Sequence, residues 1–191
     1  WQLAGGLFTC GFSMSLISAH GVPMLTDHGY HPMVASWALG ILGGASVGFA
    51  ILVGLFADRV GRRPILAWLY GGRGLLFAAL FLVRDNPAAL LLIAALGGAT
   101  VAGSLAMVSA LSADIFGRFS VGSVFGTIFF VHQVGAALGS WLGGFFFEAT
   151  GGYGAAFATA STILVLACIV SLTIDERPRR VPTLAPAAGG R

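Results

Sequence analysis

Charged residues are scarce in this sequence, and lysine is absent from it. Only 9% of the 191 residues are charged, whereas about a quarter of the residues of a soluble domain carry a charge. This scarcity excludes an ordinary water-soluble globular domain. The net charge of +3 comes from arginines that stand mostly in short turns between apolar segments. The sequence therefore also lacks the continuous basic face of a nucleic-acid-binding protein, and we expect no nucleic acid as a partner.

Cysteine is nearly as scarce as charge. Cys10 and Cys168 are the two cysteines of the chain, and both lie within apolar runs. Their number and surroundings exclude a disulfide framework and a cysteine-based metal site. The sequence also lacks the Walker, Rossmann and zinc-protease motifs. We therefore expect a protein that is not an enzyme and that binds no cofactor or metal.

Apolar residues are abundant: they make up 57% of the chain, and the mean hydropathy is +0.92. A transmembrane helix needs about 20 predominantly apolar residues, and the sequence contains six such segments. We predict an all-α membrane protein with a six-helix bundle over residues 1–174 and a disordered tail over 175–191, where Pro, Ala, Gly and Arg dominate. The predicted helices cover residues 2–25, 33–57, 64–83, 88–113, 121–147 and 153–174. A kink or break is expected near residues 20–23, which read His-Gly-Val-Pro.

The turn between the second and third segments is the most highly charged stretch between apolar runs. Residues 54–64 read Gly-Leu-Phe-Ala-Asp-Arg-Val-Gly-Arg-Arg-Pro. A short, positively charged turn between two apolar runs is typical of a loop on the cytoplasmic face of a membrane. The spacing Ala-Asp-x-x-Gly-Arg recurs at residues 113–118, after the fourth segment.

The spacing Gly-x-x-Ala-Asp-Arg-x-Gly-Arg-Arg resembles the signature loop of the major facilitator superfamily of secondary transporters, with Phe56 at a position that is usually Leu. The resemblance implies transport by alternating access, in which two six-helix bundles rock about a central substrate site. Six segments imply one of these bundles, built as two inverted three-helix repeats. The strength of the motif and the orientation of the chain favour the C-terminal half, so we expect an N-terminal half as its partner beyond this chain.

Arginine is distributed unequally between the two sides of the predicted membrane path. One side holds Arg59, Arg62, Arg63, Arg118, Arg177, Arg179, Arg180 and Arg191, whereas Arg84 alone falls in a loop on the other side. This asymmetry predicts that loops 58–63 and 114–120 and the C-terminal tail are cytoplasmic. We expect an integral protein of the bacterial cytoplasmic (inner) membrane.

The two cytoplasmic turns are the first candidate site. The motif residues are Gly54, Ala57, Asp58, Arg59, Gly61, Arg62 and Arg63, and the second turn contributes Asp114, Gly117 and Arg118. The resemblance implies a latch in which Asp58 accepts hydrogen bonds at a helix N-terminus of the other half. The alternative is that the arginines of the motif only set the membrane topology.

Polar side chains inside the apolar segments are the candidate substrate or proton sites, because such groups are costly in a membrane. They are His132, Gln133, His20 and Arg73. His132 either binds substrate or relays a proton, or it makes a hydrogen bond between helices. His20 either lines the outer mouth or lies at the headgroup level. Arg73 either contributes to a substrate or proton site or makes a structural pairing or a lipid contact.

Glycines at four-residue spacing predict close helix contacts in two segments: Gly40, Gly44 and Gly48, and Gly135, Gly139 and Gly143. The pattern from Asp114 to Gly139 resembles bacterial monocarboxylate and oxalate/formate porters, which implies a small organic anion and a proton. These porters commonly keep an arginine in the second helix of this half, whereas residues 34–57 here contain no charge. A second interpretation stays open, in which six helices form a complete protein that acts as a homodimeric transporter or as an assembly partner that transports nothing.

Overall fold

The structure is a computed structural model, and it describes residues 1–101, 103–117 and 120–175. The described residues form seven α-helices: α1 Gln2–Asp27, α2 Pro32–Val60, α3 Arg62–Leu82, α4 Pro87–Val101, α5 Ser104–Phe116, α6 Val121–Thr150 and α7 Gly154–Ser171. Because α4 and α5 follow one another along a single segment, six segments are long and apolar enough to cross a membrane. The predicted all-α fold with six spans is confirmed. Residues 176–191, most of the predicted tail, lie outside the described residues.

The fourth span, predicted as one helix over residues 88–113, is described as two helices, α4 and α5. The first half, α4, ends at Val101, and the second half, α5, begins at Ser104. Between them Gly103 has φ +81°, a left-handed conformation that only glycine adopts at little cost. The break that we expected near residues 20–23 does not occur. Helix α1 continues to Asp27, and Pro23 is exposed close to its end.

The motif turn is much shorter than the predicted loop over residues 58–63. Asp58 and Arg59 lie in the last turn of α2, and α3 begins at Arg62. Gly61 alone separates the two helices; its φ is +101° and its amide donates to the carbonyl of Ala57 at 3.0 Å. A positive φ lets the chain leave one helix and enter the next within one residue. Asp114 is likewise helical, since α5 extends to Phe116.

The helices pack in symmetrically related pairs. The most extensive contacts join α1 to α6, α3 to α7 and α2 to α4, and the next join α1 to α7 and α3 to α4. In the two repeats α1 corresponds to α4/α5, α2 to α6 and α3 to α7. Under this correspondence the α1–α6 pair matches the α2–α4 pair, the α1–α7 pair matches the α3–α4 pair, and the α3–α7 pair matches itself. Two inverted three-helix repeats produce this pattern of neighbours.

Burial is distributed unequally over the six spans. In the most apolar window of each helix, 56% of α1 and 50% of α3 are buried, against 11% of α2 and of α6. The symmetry relates α2 to α6, so the two poorly buried helices are equivalent members of the two repeats. Both therefore offer a long apolar face to lipid or to another protein surface.

Candidate functional site

One end of the bundle carries a cluster of charges that joins the two repeats. Arg62, the first residue of α3, forms an ion pair with Asp114 in the last turn of α5, and it also donates to the carbonyl of Ala110 at 3.4 Å. Arg63 donates to the carbonyl of Ile174 at 3.3 Å, beyond α7. The two copies of the Ala-Asp-x-x-Gly-Arg spacing therefore lie at the same end of the bundle, as the sequence predicts.

Asp58 is exposed at this end and shares a shallow pocket with Ala57, Gly61, Arg62 and Asp114. Within the described part of the chain, no hydrogen bond or ion pair occupies its carboxylate. The latch hypothesis requires the Asp58 carboxylate as a hydrogen-bond acceptor, and this carboxylate is therefore available to a donor from outside the chain.

The remaining motif residues have different surroundings. Arg59 is exposed, Ala57 is buried, and Gly54 has open space where a side chain would stand. Gly117 ends α5 with φ +81°. Arg118 lies outside the described residues.

Arg73 lies in the interior of the bundle with no exposed surface. Its Nη1 atom donates to Cys10 Sγ at 3.0 Å. Its Nη2 atom donates to the carbonyls of Thr100 at 2.9 Å and Val101 at 3.0 Å and to the hydroxyl of Ser104 at 3.0 Å. These partners are two backbone carbonyls, a hydroxyl and a cysteine sulfur. The complete burial of Arg73 leaves no surface for a lipid or a solute and favours its structural alternative.

Cys10 links Arg73 to the exposed side of α6. The thiol of Cys10 also interacts with the imidazole of His132. His132 Nδ1 and Gln133 Oε1 lie 3.0 Å apart, and the imidazole stacks on Phe129 with ring centroids 5.3 Å apart. His132 is half-buried and Gln133 is exposed. The structure thus connects two predicted polar positions, Arg73 and His132, through a cysteine that sequence reasoning treated only as a small apolar residue.

His20 belongs to the seam between α1 and α6. Its Nε2 atom donates to the carbonyl of Ser140 at 2.9 Å, and its ring lies 5.4 Å from the ring of Tyr153. Ser15 and Ser140 form a short hydrogen bond across the same seam. These contacts favour a role for His20 in joining the two helices.

The glycines of α6 allow this seam to close. A side chain at Gly135 would collide with the backbone of Phe8, and one at Gly139 would collide with the backbone of Phe12. Gly143 lies against the ring of His20 in the same way. On the facing helix, a side chain at Gly11 would collide with the carbonyl of His132. Close helix contact along Gly135, Gly139 and Gly143 is therefore present.

The glycines of α2 behave differently. Gly40, Gly44 and Gly48 have open space on the side where a side chain would stand, so the predicted close contact at these three positions does not occur within the described chain. The opposite face of α2 packs on α4 instead, where a Cβ at Gly98 would lie 2.6 Å from Ala45 Cβ. Glycines at four-residue spacing create a helix face without side chains, but this pattern does not predict whether that face contacts a neighbouring helix.

The opposite end of the bundle has a half-buried histidine, His28, directly after α1. Its ring lies 5.2 Å from that of Phe81 in an edge-on arrangement. Burial lowers the pKa of His28 below its ordinary value, and the positive charge of Arg84 lowers it further, whereas the Asp27 carboxylate opposes both effects. Near Asp27, burial and that carboxylate raise the pKa of Tyr153.

Comparison with known proteins agrees with this architecture. The family model described as Major Facilitator Superfamily matches residues 3–190. The chain belongs to the major facilitator superfamily. It is also similar to an uncharacterized MFS-type transporter of Bacillus subtilis (strain 168), YcxA, with 31% identity over 198 aligned residues. That alignment includes 94% of this chain and 43% of the relative, so the chain spans less than half of the relative's length. As a member of this superfamily with six apolar spans, it is an integral membrane protein.

Proposed function

We propose that this chain is the C-terminal half of a secondary active transporter that moves a small solute across the bacterial cytoplasmic membrane by alternating access. The observation that carries the proposal is the poor burial of α2 and α6, the two equivalent helices of the repeats. Their large exposed side chains include Trp37 and Ile51 on α2 and Phe130 and Trp141 on α6. A second six-helix half that contacts both helices would cover these faces and enclose a central cavity.

The solute site of this proposal lies at His132 and Gln133. Both are on the poorly buried α6, and His132 stands in the interior of a 30-residue helix, near the middle of the membrane. Arg73 is fully buried, and α2 contains no charge between residues 32 and 57. A protonated His132 would therefore supply the positive charge that a carboxylate requires at this site. This reasoning, together with the resemblance to monocarboxylate porters, supports a small organic anion that moves with a proton.

The cluster at the motif end has a separate role in this proposal. Asp58 is exposed and its carboxylate has no partner within the described residues. A helix N-terminus of the other half carries unpaired N–H groups and partial positive charge, which attract a carboxylate. We infer that Asp58 binds such a terminus when the cytoplasmic side is closed, and that Arg59, Arg62 and Arg63 hold the turn at the membrane surface.

The proposal is tested by uptake of labelled monocarboxylates into proteoliposomes under an inward proton gradient. Protein made from the complete reading frame should accumulate at least one of them, and His132→Gln should abolish the effect of the gradient. Ser123→Ala, at an exposed position of α6 away from His132, is the matched control and should keep uptake. The 191-residue chain alone should show no uptake.

The rival interpretation, a self-contained six-helix protein, predicts other results. Uptake by the 191-residue chain alone, together with a stable homodimer in detergent, would contradict the proposed half and favour a homodimeric transporter. Uptake by the complete protein that is indifferent to His132→Gln would keep the transporter and refute the proton site.

A further inference from the structure

The interruption of the fourth span coincides with the side chain of Arg73. We infer that Arg73 is a positioning residue: it holds α4 and α5 together at their junction and thereby sets the hinge of the fourth span. Its Nη2 atom reaches both sides of the junction, since Thr100 and Val101 end α4 and Ser104 begins α5. The role of this hinge in transport rests on the proposed function.

The need for such a group follows from the backbone. The last carbonyls of a helix have no N–H partner within the helix. A membrane interior provides no water to replace that partner, so irregular backbone is tolerated there only where protein groups satisfy it. The carbonyls of Thr100 and Val101 are at the end of α4, and Arg73 donates to both.

The C-terminus of α4 also stabilises the charge of Arg73, whose buried Nε atom has no hydrogen-bond partner among the described residues. Helix C-termini carry partial negative charge, which favours a cation in the last turn. Arg73 is buried beside the C-terminus of α4, and among the described residues no carboxylate contacts it. Interrupted helices of other transporters use their freed carbonyls and C-terminal ends to bind a coupling cation. Here the guanidinium, a cation that is part of the chain, occupies the equivalent position.

The guanidinium is well matched to this task. It is planar, it remains charged, and its N–H groups point in several fixed directions. Arg73 therefore contacts two carbonyls and one hydroxyl at the junction and still donates to Cys10 on α1. Three spans, those of α1, α3 and α4/α5, meet at this one side chain. A motion of α4 relative to α5 must break or rearrange these hydrogen bonds.

The inference is tested by hydrogen–deuterium exchange of the complete protein in lipid nanodiscs. Arg73→Met keeps an unbranched apolar stem and removes the charge and the N–H donors, whereas Arg73→Lys keeps the charge and a hydrogen-bond donor. In Arg73→Met, exchange should rise by about tenfold in peptides covering residues 96–101 and 104–108, because the junction opens locally. Arg73→Lys should restore most of the protection. Phe77→Ala, a loss of packing one turn along the same buried face of α3, should leave these peptides unchanged.

A purely structural role predicts another order of effects. If Arg73 only fills volume, apolar Met should protect the junction at least as well as Lys, and that result would overturn the inference. An increase spread evenly over all six spans would overturn it as well. Ser104→Ala is a second test in case the Arg73 variants do not fold. It removes one acceptor of Arg73 and should raise exchange in residues 104–108 by about threefold. No change there would also contradict the inference. The measurement requires no transport, so it is independent of the uptake test.

Discussion

Arg62 in the first turn of α3 forms an ion pair with Asp114 in the last turn of α5. The two residues belong to different repeats, so this pair connects the two halves of the six-helix bundle at the motif end. Asp114 is also the counterpart of Asp58 in the repeated Ala-Asp-x-x-Gly-Arg spacing. One copy of the repeated motif thus provides the carboxylate that binds an arginine of the other copy.

This ion pair should contribute modestly to stability. The side chains of Arg62 and Asp114 are 30% and 48% exposed, and exposed pairs contribute about 1 kcal/mol or less. A double-mutant cycle of Arg62→Gln and Asp114→Asn, followed by thermal unfolding in detergent, should give a coupling energy in that range that decreases with added salt. Arg59→Gln, at an exposed neighbouring position, is the control. A coupling energy that does not respond to salt would contradict an exposed pair.

The glycines of α6 and α2 should respond oppositely to the same substitution. Gly139→Ala places a methyl group against the backbone of Phe12 and should destabilise the chain by about 1–3 kcal/mol. Gly44→Ala enters open space and gains helix propensity, so stability should stay equal or rise by up to about 1 kcal/mol. Thermal unfolding of the two variants checks this contrast. Equal losses at both positions would mean that the α2 face is closed within the chain.

Asp58→Asn should separate the latch from a role in topology alone. The substitution removes the negative charge and leaves the arginines of the turn in place, so the membrane orientation should not change. We expect uptake by the complete protein to fall by about fivefold, because a charge–dipole contact of roughly 1 kcal/mol is lost. Expression and thermal stability should match those of the unaltered protein. Normal uptake by Asp58→Asn would leave the motif with a topological role only.

His28 should be less than half protonated at about pH 6.5, where an exposed histidine is half protonated. Burial and Arg84 lower its pKa, so NMR titration of its ring should show a midpoint below that value. Because protonation is less favourable in the folded state, the stability that His28 contributes is present above its ordinary pKa and is lost as the pH falls below it.

The neighbours of His28 provide internal controls for this titration. Arg84→Gln should raise its midpoint, because a repelling positive charge is removed, and Asp27→Asn should lower it further. His28→Gln assigns the signal among the four histidines of the chain. Shifts of the same sign in the two charge variants would contradict the stated causes.

Prediction from the sequence succeeded where a property is local. The ends of the apolar segments agree with the observed helices to within a few residues at most positions, because lipid requires about 20 apolar residues per span. The sequence pattern does not reveal the positive φ at Gly103, because the apolar run continues through this position without a change. The sequence pattern also does not distinguish Gly40, Gly44 and Gly48, which face open space within the described chain, from Gly135, Gly139 and Gly143, which have the same spacing and meet α1.

The sequence by itself determined the medium of this protein, its all-α class, its six spans and the charged turn that marks its superfamily. These properties depend on composition and on the order of residues along one segment. Only the tertiary structure decided which glycines meet a neighbouring helix, that Arg73 binds the end of α4, and that Cys10 lies between Arg73 and His132. The reason is physical: a helical pattern shows which residues share a face, whereas the identity of the opposing helix is set by packing among all six spans.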